Sequence, residues 1–278
     1  MKIAITAEST IDLPKNLLEK YDIKTLPFTV ILGDKDYKDG EITSSDIFKF
    51  VEENKILPKT SAINEMQYAE FFEETLKDYD ALVHFCLSSE ISSACSHAKA
   101  AAENMKNVFV VDTRSLSTGI ALLAIHAREL AESGKSAEEI YNLCENRTKD
   151  VQASFVVKKL DYLHKGGRCS SIALLGANLL SIRPEIVLSD GKMISAKKYL
   201  GKMEKVIEKY CKDVLADNPN PDKKYAFVTY TTATDEIANI AKNALKEAGF
   251  ETIYETTAGA TITSHCGENT LGILFLNR

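Results

Sequence analysis

Ala81-Leu82-Val83-His84-Phe85-Cys86-Leu87, followed at once by Ser88-Ser89-Glu90-Ile91-Ser92-Ser93-Ala94, is the stretch that decides the fold. The run at 81–87 has one polar member, His84, and is too short for a helix. It reads as a strand buried on both faces. The hydroxyl-rich loop leads into an alanine-rich helix over residues 91–104, and a second buried strand follows at 108–111, ended by Asp112. Strand, loop, helix and strand, with no wet face on either strand, imply a parallel sheet covered by helices.

The same alternation extends outward in both directions. Residues 2–6 form a short apolar run, and 23–32 alternate (Leu26, Phe28, Val30, Leu32) as one half-buried strand. Gly33-Asp34 and Asp39-Gly40 mark turns. Ser44-Ser45-Asp46 caps a helix with Ile47, Phe48, Phe50 and Val51 as its apolar positions, and Asn64 caps another with Met66, Ala69, Phe72 and Leu76 inward. Residues 117–132 make a strongly apolar helix closed by Gly134. Beyond Asp150 the pattern changes. A strand at 153–157 precedes a chain break at Leu163-His164-Lys165-Gly166-Gly167-Arg168, and 172–180 is apolar and helical in length. Strands at 185–188 and 193–198 flank Ser189-Asp190-Gly191-Lys192, which has hairpin turn chemistry. Helices at 202–216 and 235–248 and strands at 225–230 and 271–276 complete the chain, with Asn218-Pro219-Asn220-Pro221 as its clearest loop.

Composition narrows the function. Among 278 residues, 34 Lys+Arg face 40 Asp+Glu for a formal charge of −6, which argues against a protein built mainly to grip nucleic-acid phosphates. No apolar stretch approaches the roughly 20 residues of a membrane span. The opening Met1-Lys2-Ile3-Ala4-Ile5-Thr6-Ala7-Glu8 is too short and too quickly acidic for a signal peptide, and the six cysteines are scattered without a C-x-x-C pair. The expectation is a cytoplasmic protein with reduced thiols and no bound metal.

The familiar phosphate-loop, dinucleotide, zinc-protease and nucleophile-elbow motifs are absent from the sequence. What remains is a set of hydroxyl-rich loops at strand ends and helix starts: Glu8-Ser9-Thr10, Thr60-Ser61, Ser88-Ser89 with Ser92-Ser93, and Thr113 with Ser115 and Ser117. Each alone is an ordinary capping sequence. Together they suit a small anionic ligand at the carboxyl ends of parallel strands. His265, near Gly267 and Gly272, reads by default as a loop or core histidine, and His84 as a satisfied core residue. His97, His126 and His164 show no ligand-like spacing.

In order along the chain, several of these elements resemble the DegV family. Glu8-Ser9-Thr10-Ile11-Asp12-Leu13 resembles its D-S-[ST]-x-D-L opening, Pro58-Lys59-Thr60-Ser61 its P-x-T-S element, and Ser88 to Ala94 its S-S-x-L-S-G-T. Val111-Asp112-Thr113 with Ser117-Thr118-Gly119, Tyr162-Leu163-His164-Lys165-Gly166-Gly167-Arg168, Pro184, and Asp190-Gly191-Lys192 resemble later elements. His265 to Gly272 resembles H-x-G-P-G-x-x-G. The resemblance implies an N-terminal Rossmann-like α/β domain at 1–152 with a parallel sheet, and a C-terminal mixed α/β domain at 153–278. It also implies a long-chain fatty acid held in a buried apolar tunnel between them, with no other cofactor.

Family members called FakB present that acid to a separate kinase, FakA, which makes an acyl-phosphate. The resemblance thus implies a lipid-binding subunit of a kinase system rather than an enzyme in its own right, and no stable membrane insertion. The carboxylate-binding positions it implies are Thr60, Ser61, Ser92 and His265, with Ser93 and Gly267 in the head-group loops. Ile172, Leu174, Leu175, Leu179, Leu180 and Ile182 are the expected chain-lining residues. A desolvated carboxylate needs donors, and two hydroxyls and an imidazole supply them without a buried cation. At about 0.8 kcal/mol per methylene, some 15 methylenes gain roughly 12 kcal/mol, so the tunnel should dominate affinity.

The sequence departs from the pattern at Glu8 (Asp), Ser93 (Gly), Ala94 (Thr) and Glu268-Asn269 (Pro-Gly). An arginine associated with kinase docking is replaced by Leu200 or Gly201. Two other readings stand beside the carrier: a binder of another amphipathic carboxylate without a kinase, and a hydrolase using Ser92 and His265.

Overall fold

The structure, a computed structural model, describes residues 1–158, 160–169 and 182–278. The chain opens with β1 (Ile3–Glu8), a turn of 3₁₀ helix at Ser9–Ile11, α1 (Lys15–Lys20) and β2 (Ile23–Leu26), which pairs with β1 in parallel. The alternating run at 23–32 is not one strand. Pro27, which has no N–H to give a ladder, divides it, and the Phe28 N–H is taken by Ser9 Oγ at 3.1 Å. β3 (Thr29–Leu32) then turns at Gly33 (φ +64°) into β4 (Lys35–Lys38).

α2 (Ser44–Asn54) is capped by Thr43 rather than by Ser44. The Thr43 side chain and the Asp46 carboxylate satisfy each other's backbone N–H groups in a capping box. β5 (Lys59–Ser61) pairs antiparallel with β3, completing a small sheet in the order β4-β3-β5. α3 (Glu65–Leu76) is capped by Asn64 as expected, but its buried face is Tyr68, Phe72 and Thr75, and Met66 is exposed.

β6 (Ala81–Cys86), α4 (Ala94–Ala102), β7 (Val108–Asp112) and α5 (Thr118–Glu132) follow, and the first sheet closes as β2-β1-β6-β7, all parallel. α4 starts three residues later than the alanine pattern suggests, which leaves Ile91-Ser92-Ser93 in the loop. Residues 118–125 of α5 are buried on every side, because the helix packs between this sheet and the second one. α6 (Ala137–Arg147), not apparent in the sequence reading, lies beside it under a Ser136–Glu139 capping box.

The second sheet has six strands and mixed direction. β8 (Val151–Val156) leads to α7 (Asp161–Gly166), a short helix where the sequence suggests only a chain break; Gly167 (φ +69°) ends it. β9 (Ile182–Ser189) and β10 (Lys192–Leu200) form the expected hairpin. Then come α8 (Met203–Asp217), β11 (Pro221–Tyr230), α9 (Asp235–Glu247), β12 (Thr252–Thr257), α10 (Ala260–Cys266) and β13 (Leu271–Asn277), in the sheet order β10-β9-β8-β13-β11-β12. β12 and α10 were not apparent in the sequence. The chain is thus an α/β protein with a parallel-sheet N-terminal part and a mixed-sheet C-terminal part. One apolar core runs through both, from Ile5 and Val83 through Leu123 to Phe155 and Leu274. α8 and α9 cover the far face of the second sheet around Tyr210 and Phe275.

Candidate functional site

α10 belongs by sequence to the second half but is held by the first. The carboxylate of Asp12 accepts from the Gly259 N–H and that of Asp39 from the Ala260 N–H, each at 2.8 Å, where the helix has free donors. Ser117 Oγ donates to Asp12 at 2.5 Å, and Ser44 Oγ lies 2.8 Å from Thr263 Oγ1. Burial pushes the Asp12 carboxyl up to about 8 despite these donors. So anchored, the helix carries His265 across to β5, where its Nε2 meets Thr60 Oγ1 at 2.8 Å. Burial, with the Arg168 guanidinium adding to it, pulls the imidazole down to about 4, so it is neutral at physiological pH. His265 is a helix residue, not a loop histidine.

The loop after β6 approaches from the other side. Glu8, at the end of β1, is buried and accepts from Tyr68 Oη (2.5 Å), the Leu87 N–H (2.7 Å) and Thr10 Oγ1 (3.2 Å); burial pushes it up to about 7. The Asp112 carboxylate takes the N–H and hydroxyl of Ser89. The β9–β10 hairpin rests on the same loop: Ser88 Oγ donates to the Gly191 carbonyl at 2.8 Å, and Arg114 bonds the Asp190 carbonyl and Ser89 Oγ. At Gly191 (φ +79°) a Cβ would fall 2.4 Å from Ser88 Oγ, so the Asp-Gly-Lys turn owes its glycine to this contact as well as to its backbone conformation.

Between these parts lies a cavity of about 550 Å³. Thr60, Ser61, Ser92, Ser93 and His265 all line it, together with Ser89 and His97. Its apolar wall is Phe28, Leu87, Ile91, Leu116, Met193 and Ile262. Ser92 Oγ accepts from the Ala94 N–H at 3.2 Å, and Thr60, not Ser92, is bonded to His265. Ser93 has φ −74°, a conformation open to any residue, so the backbone does not need the family's glycine there. Asn269 takes the left-handed conformation (φ +55°) that the family's glycine would supply.

Gly267 is not on the cavity wall. Its φ of +74° and the Tyr162 ring, 2.6 Å from where a Cβ would stand, give it a packing role. A narrow void of about 30 Å³ continues behind Leu116, Ile262 and Cys266, reaching Phe155 and Leu274 between the two sheets. A third cavity, of about 470 Å³, opens on the other side of the Thr60–His265 pair.

Ile172, Leu174, Leu175, Leu179 and Leu180 lie outside the described residues. Ile182, half-buried at the start of β9, lines none of the three cavities. Ser9, Thr10, Thr113 and Ser115 do not reach the main cavity either, and Ser117 reaches only the narrow void; in these loops the hydroxyls tie backbone and carboxylates together. The apolar wall and His97, whose Nδ1–H donates to the Ile63 carbonyl at 2.8 Å, were missed, and no local pattern marks them.

Glu8, His84 and Cys86 place potential ligand atoms within 4.8 Å of one another. Their chemistry is that of a buried core cluster rather than a ligand set. Burial drives His84 down to about 3 and raises the thiol, while both Glu8 oxygens are occupied by donors.

The profile of the DegV family, described as an uncharacterised protein family, matches residues 2–278. A curated protein of Thermotoga maritima named fatty acid-binding protein is 32% identical over 284 residues, covering 98% of this chain and 96% of its own. Two solved structures cover 100% of both chains. A DegV family protein from Thermus thermophilus, described for its fatty acid binding, has a TM-score of 0.92 at 29% identity. DegV of Bacillus subtilis, described as a fatty acid binding protein, has a TM-score of 0.87 at 28% identity.

Proposed function

Since the chain belongs to the DegV family, we propose that it binds a long-chain fatty acid, with the carboxylate held by Thr60, Ser92 and His265 and assisted by Ser61. The observation that carries this reading is the 2.8 Å Thr60–His265 bond on the wall of a cavity whose opposite side is apolar. If Nε2–H donates to Thr60 Oγ1, the threonine hydroxyl is free to donate onward to an anion. The Thr60 and Ser92 hydroxyls then meet a carboxylate with donors alone, and the neutral imidazole fixes the aim of the first. The volume of about 550 Å³ falls within the roughly 300–1,000 Å³ of small-molecule sites. The acyl chain runs from this cavity toward the narrow void between the sheets, so that the residues before and after about 152 act as two domains closing on one ligand.

The protein is a carrier and not a hydrolase. Ser92 has no bond to His265, and the Thr60–His265 pair lacks a third group to orient the ring, because Nδ1 has no partner. We propose further that it works in the cytoplasm and presents the acid to a FakA-type kinase. Leu200, 71% exposed, or Gly201 stands where the resemblance expects a docking arginine, and that makes the coupling weak. A carrier of another amphipathic carboxylate would show the same head-group site and no coupling. Native mass spectrometry of the purified protein, followed by extraction of its cargo, tests the reading. An adduct of fatty-acid mass is expected; folded protein that neither carries nor accepts such an acid overturns it.

A further inference from the structure

We propose that Thr261 reads a hydroxyl group on the chain of the bound acid, close to its carboxyl end, so that the main cavity favours a hydroxy fatty acid over the plain one. The proposal rests on the fatty-acid reading above and names the class of acid within it. Thr261 lies on α10 four residues before His265, so the two side chains share a helix face, with their Cβ atoms about 5–6 Å apart. Both line the main cavity, and Thr261 reaches neither the narrow void nor the third cavity.

The Thr261 hydroxyl is idle in the protein itself. The residue is 3% exposed, and its Oγ1 is shielded from solvent with no hydrogen-bond partner among the described residues. The other two hydroxyls of α10 are engaged. Thr263 Oγ1 lies 2.8 Å from Ser44 Oγ, and Ser264 Oγ donates to the Ala260 carbonyl at 2.7 Å. A bond to the carbonyl four residues back, as Ser264 makes, is the usual outlet for a hydroxyl on a helix. For Thr261 that residue is Thr257, which belongs to β12 and precedes the helix. A buried hydroxyl left unpaired costs stability, and valine would fill the same space without that cost. The geometry therefore calls for a partner that arrives with the ligand.

The carboxylate is not that partner. Its two oxygens sit on one carbon, and on the reading above they go to Thr60 and Ser92, with His265 aiming the first. Thr261 stands about one helical turn, roughly 5.4 Å, away along α10, which matches an oxygen a few bonds down the chain rather than a second carboxylate oxygen. The same cavity is walled by Phe28, Leu116 and Ile262, which offer a chain oxygen no hydrogen bond. A hydroxyl both donates and accepts, so it can meet Thr261 in either sense. A methylene in its place leaves the threonine unpaired, and a site built around a hydroxyl penalises the ligand that lacks one.

The test titrates palmitate, 3-hydroxypalmitate and 16-hydroxypalmitate into the full chain and into Thr261→Val and Thr261→Ser. The wild type should bind 3-hydroxypalmitate about three- to tenfold more tightly than palmitate, the range of one neutral hydrogen bond, and 16-hydroxypalmitate no more tightly than palmitate. Thr261→Ser should keep the preference. Thr261→Val should erase it, with palmitate affinity changed less than about threefold. Without ligand, Thr261→Val should melt no lower than the wild type, because the hydroxyl it loses is unpaired. A lower melting temperature would show a structural use of that hydroxyl and overturn the proposal. No preference in the wild type, an equal gain for the 16-hydroxy acid, or a preference that survives in Thr261→Val also overturns it. Equal losses for all three acids in Thr261→Val overturn it as well and assign Thr261 to the carboxylate. In each of these cases palmitate binding leaves the fatty-acid reading standing; a folded wild type that binds none of the three acids overturns both.

Discussion

His265 Nδ1 lies 2.8 Å from where a Cβ on Gly166 would stand, so the imidazole and the end of α7 fit together only because residue 166 has no side chain. The ring is held on its other side by Thr60 and cannot simply turn away. Gly166→Ala should therefore displace the imidazole and weaken fatty-acid binding about tenfold. Alanine suits a helix better than glycine, so the melting temperature should hold within a few degrees. Titration calorimetry with palmitate and a thermal melt check the two halves; unchanged affinity would mean that the ring position does not matter to the ligand.

Removing the head-group donors one at a time should separate them from the chain site. Ser92→Ala deletes a charge-assisted hydrogen bond worth about 1.5–3 kcal/mol, or roughly ten- to a hundredfold in affinity, and His265→Ala should cost about tenfold by releasing the Thr60 hydroxyl from its aim at the ligand. The matching fatty alcohol and methyl ester should bind weakly to the wild type and be indifferent to both substitutions. Hydrolysis of p-nitrophenyl acyl esters should stay at background in all three proteins. An esterase activity that vanishes with Ser92 would promote the hydrolase.

Stability should fall on both sides of neutrality, for opposite reasons. His265 and His84 are pulled down to about 4 and about 3, below the usual imidazole value of 6.5. The unfolded chain therefore takes up more protons in that window, and their contribution, full above pH 6.5, is lost as the pH drops toward 4. Glu8 and Asp12 are raised to about 7 and about 8, so their contribution is full below pH 4 and is lost as the pH rises through those values. For Glu8 the span from 4.5 to about 7 is on the order of 3 kcal/mol at about 1.4 kcal/mol per unit. In paired melts from pH 5 to pH 9, the wild type should lose stability relative to Glu8→Gln as the pH rises. A constant difference would place Glu8 in a less buried setting.

Leu200 stands at the end of β10, on the outer edge of the six-stranded sheet. Leu200→Arg supplies the arginine that the resemblance expects at 200 or 201 and should raise ATP-dependent acyl-phosphate formation with a FakA-type kinase at least threefold, leaving palmitate affinity unchanged. Full activity in the wild type with no gain in the variant would remove this edge from the docking surface.

The alternation of buried runs with capped helices made the parallel sheet legible, because a strand covered on both faces has no other composition. The run at 23–32 misled because period-2 alternation says nothing about which sheet a strand joins; Pro27 alone carried that information. β12 escaped notice because Thr252-Ile253-Tyr254-Glu255-Thr256-Thr257 is half wet, and α10 because its 7 residues, Ala-Thr-Ile-Thr-Ser-His-Cys, show no apolar face to read. Of the candidate site, the hydroxyl loops were visible as a group. Their division into cavity walls and internal ties was not, since Ser and Thr perform both tasks with the same atoms.

Thr60 and His265 are separated by 205 positions, and the helix that brings them together is fastened by Asp12 and Asp39. On the ribosome, the parallel sheet and its serine loops emerge long before the imidazole that faces them. A growing chain at that stage offers a lipid an open apolar trough with no grip on its head, and cargo can be secured only once the segment around residue 260 has been made and has folded back. On the proposed fatty-acid reading, loading is thereby tied to completion of the site.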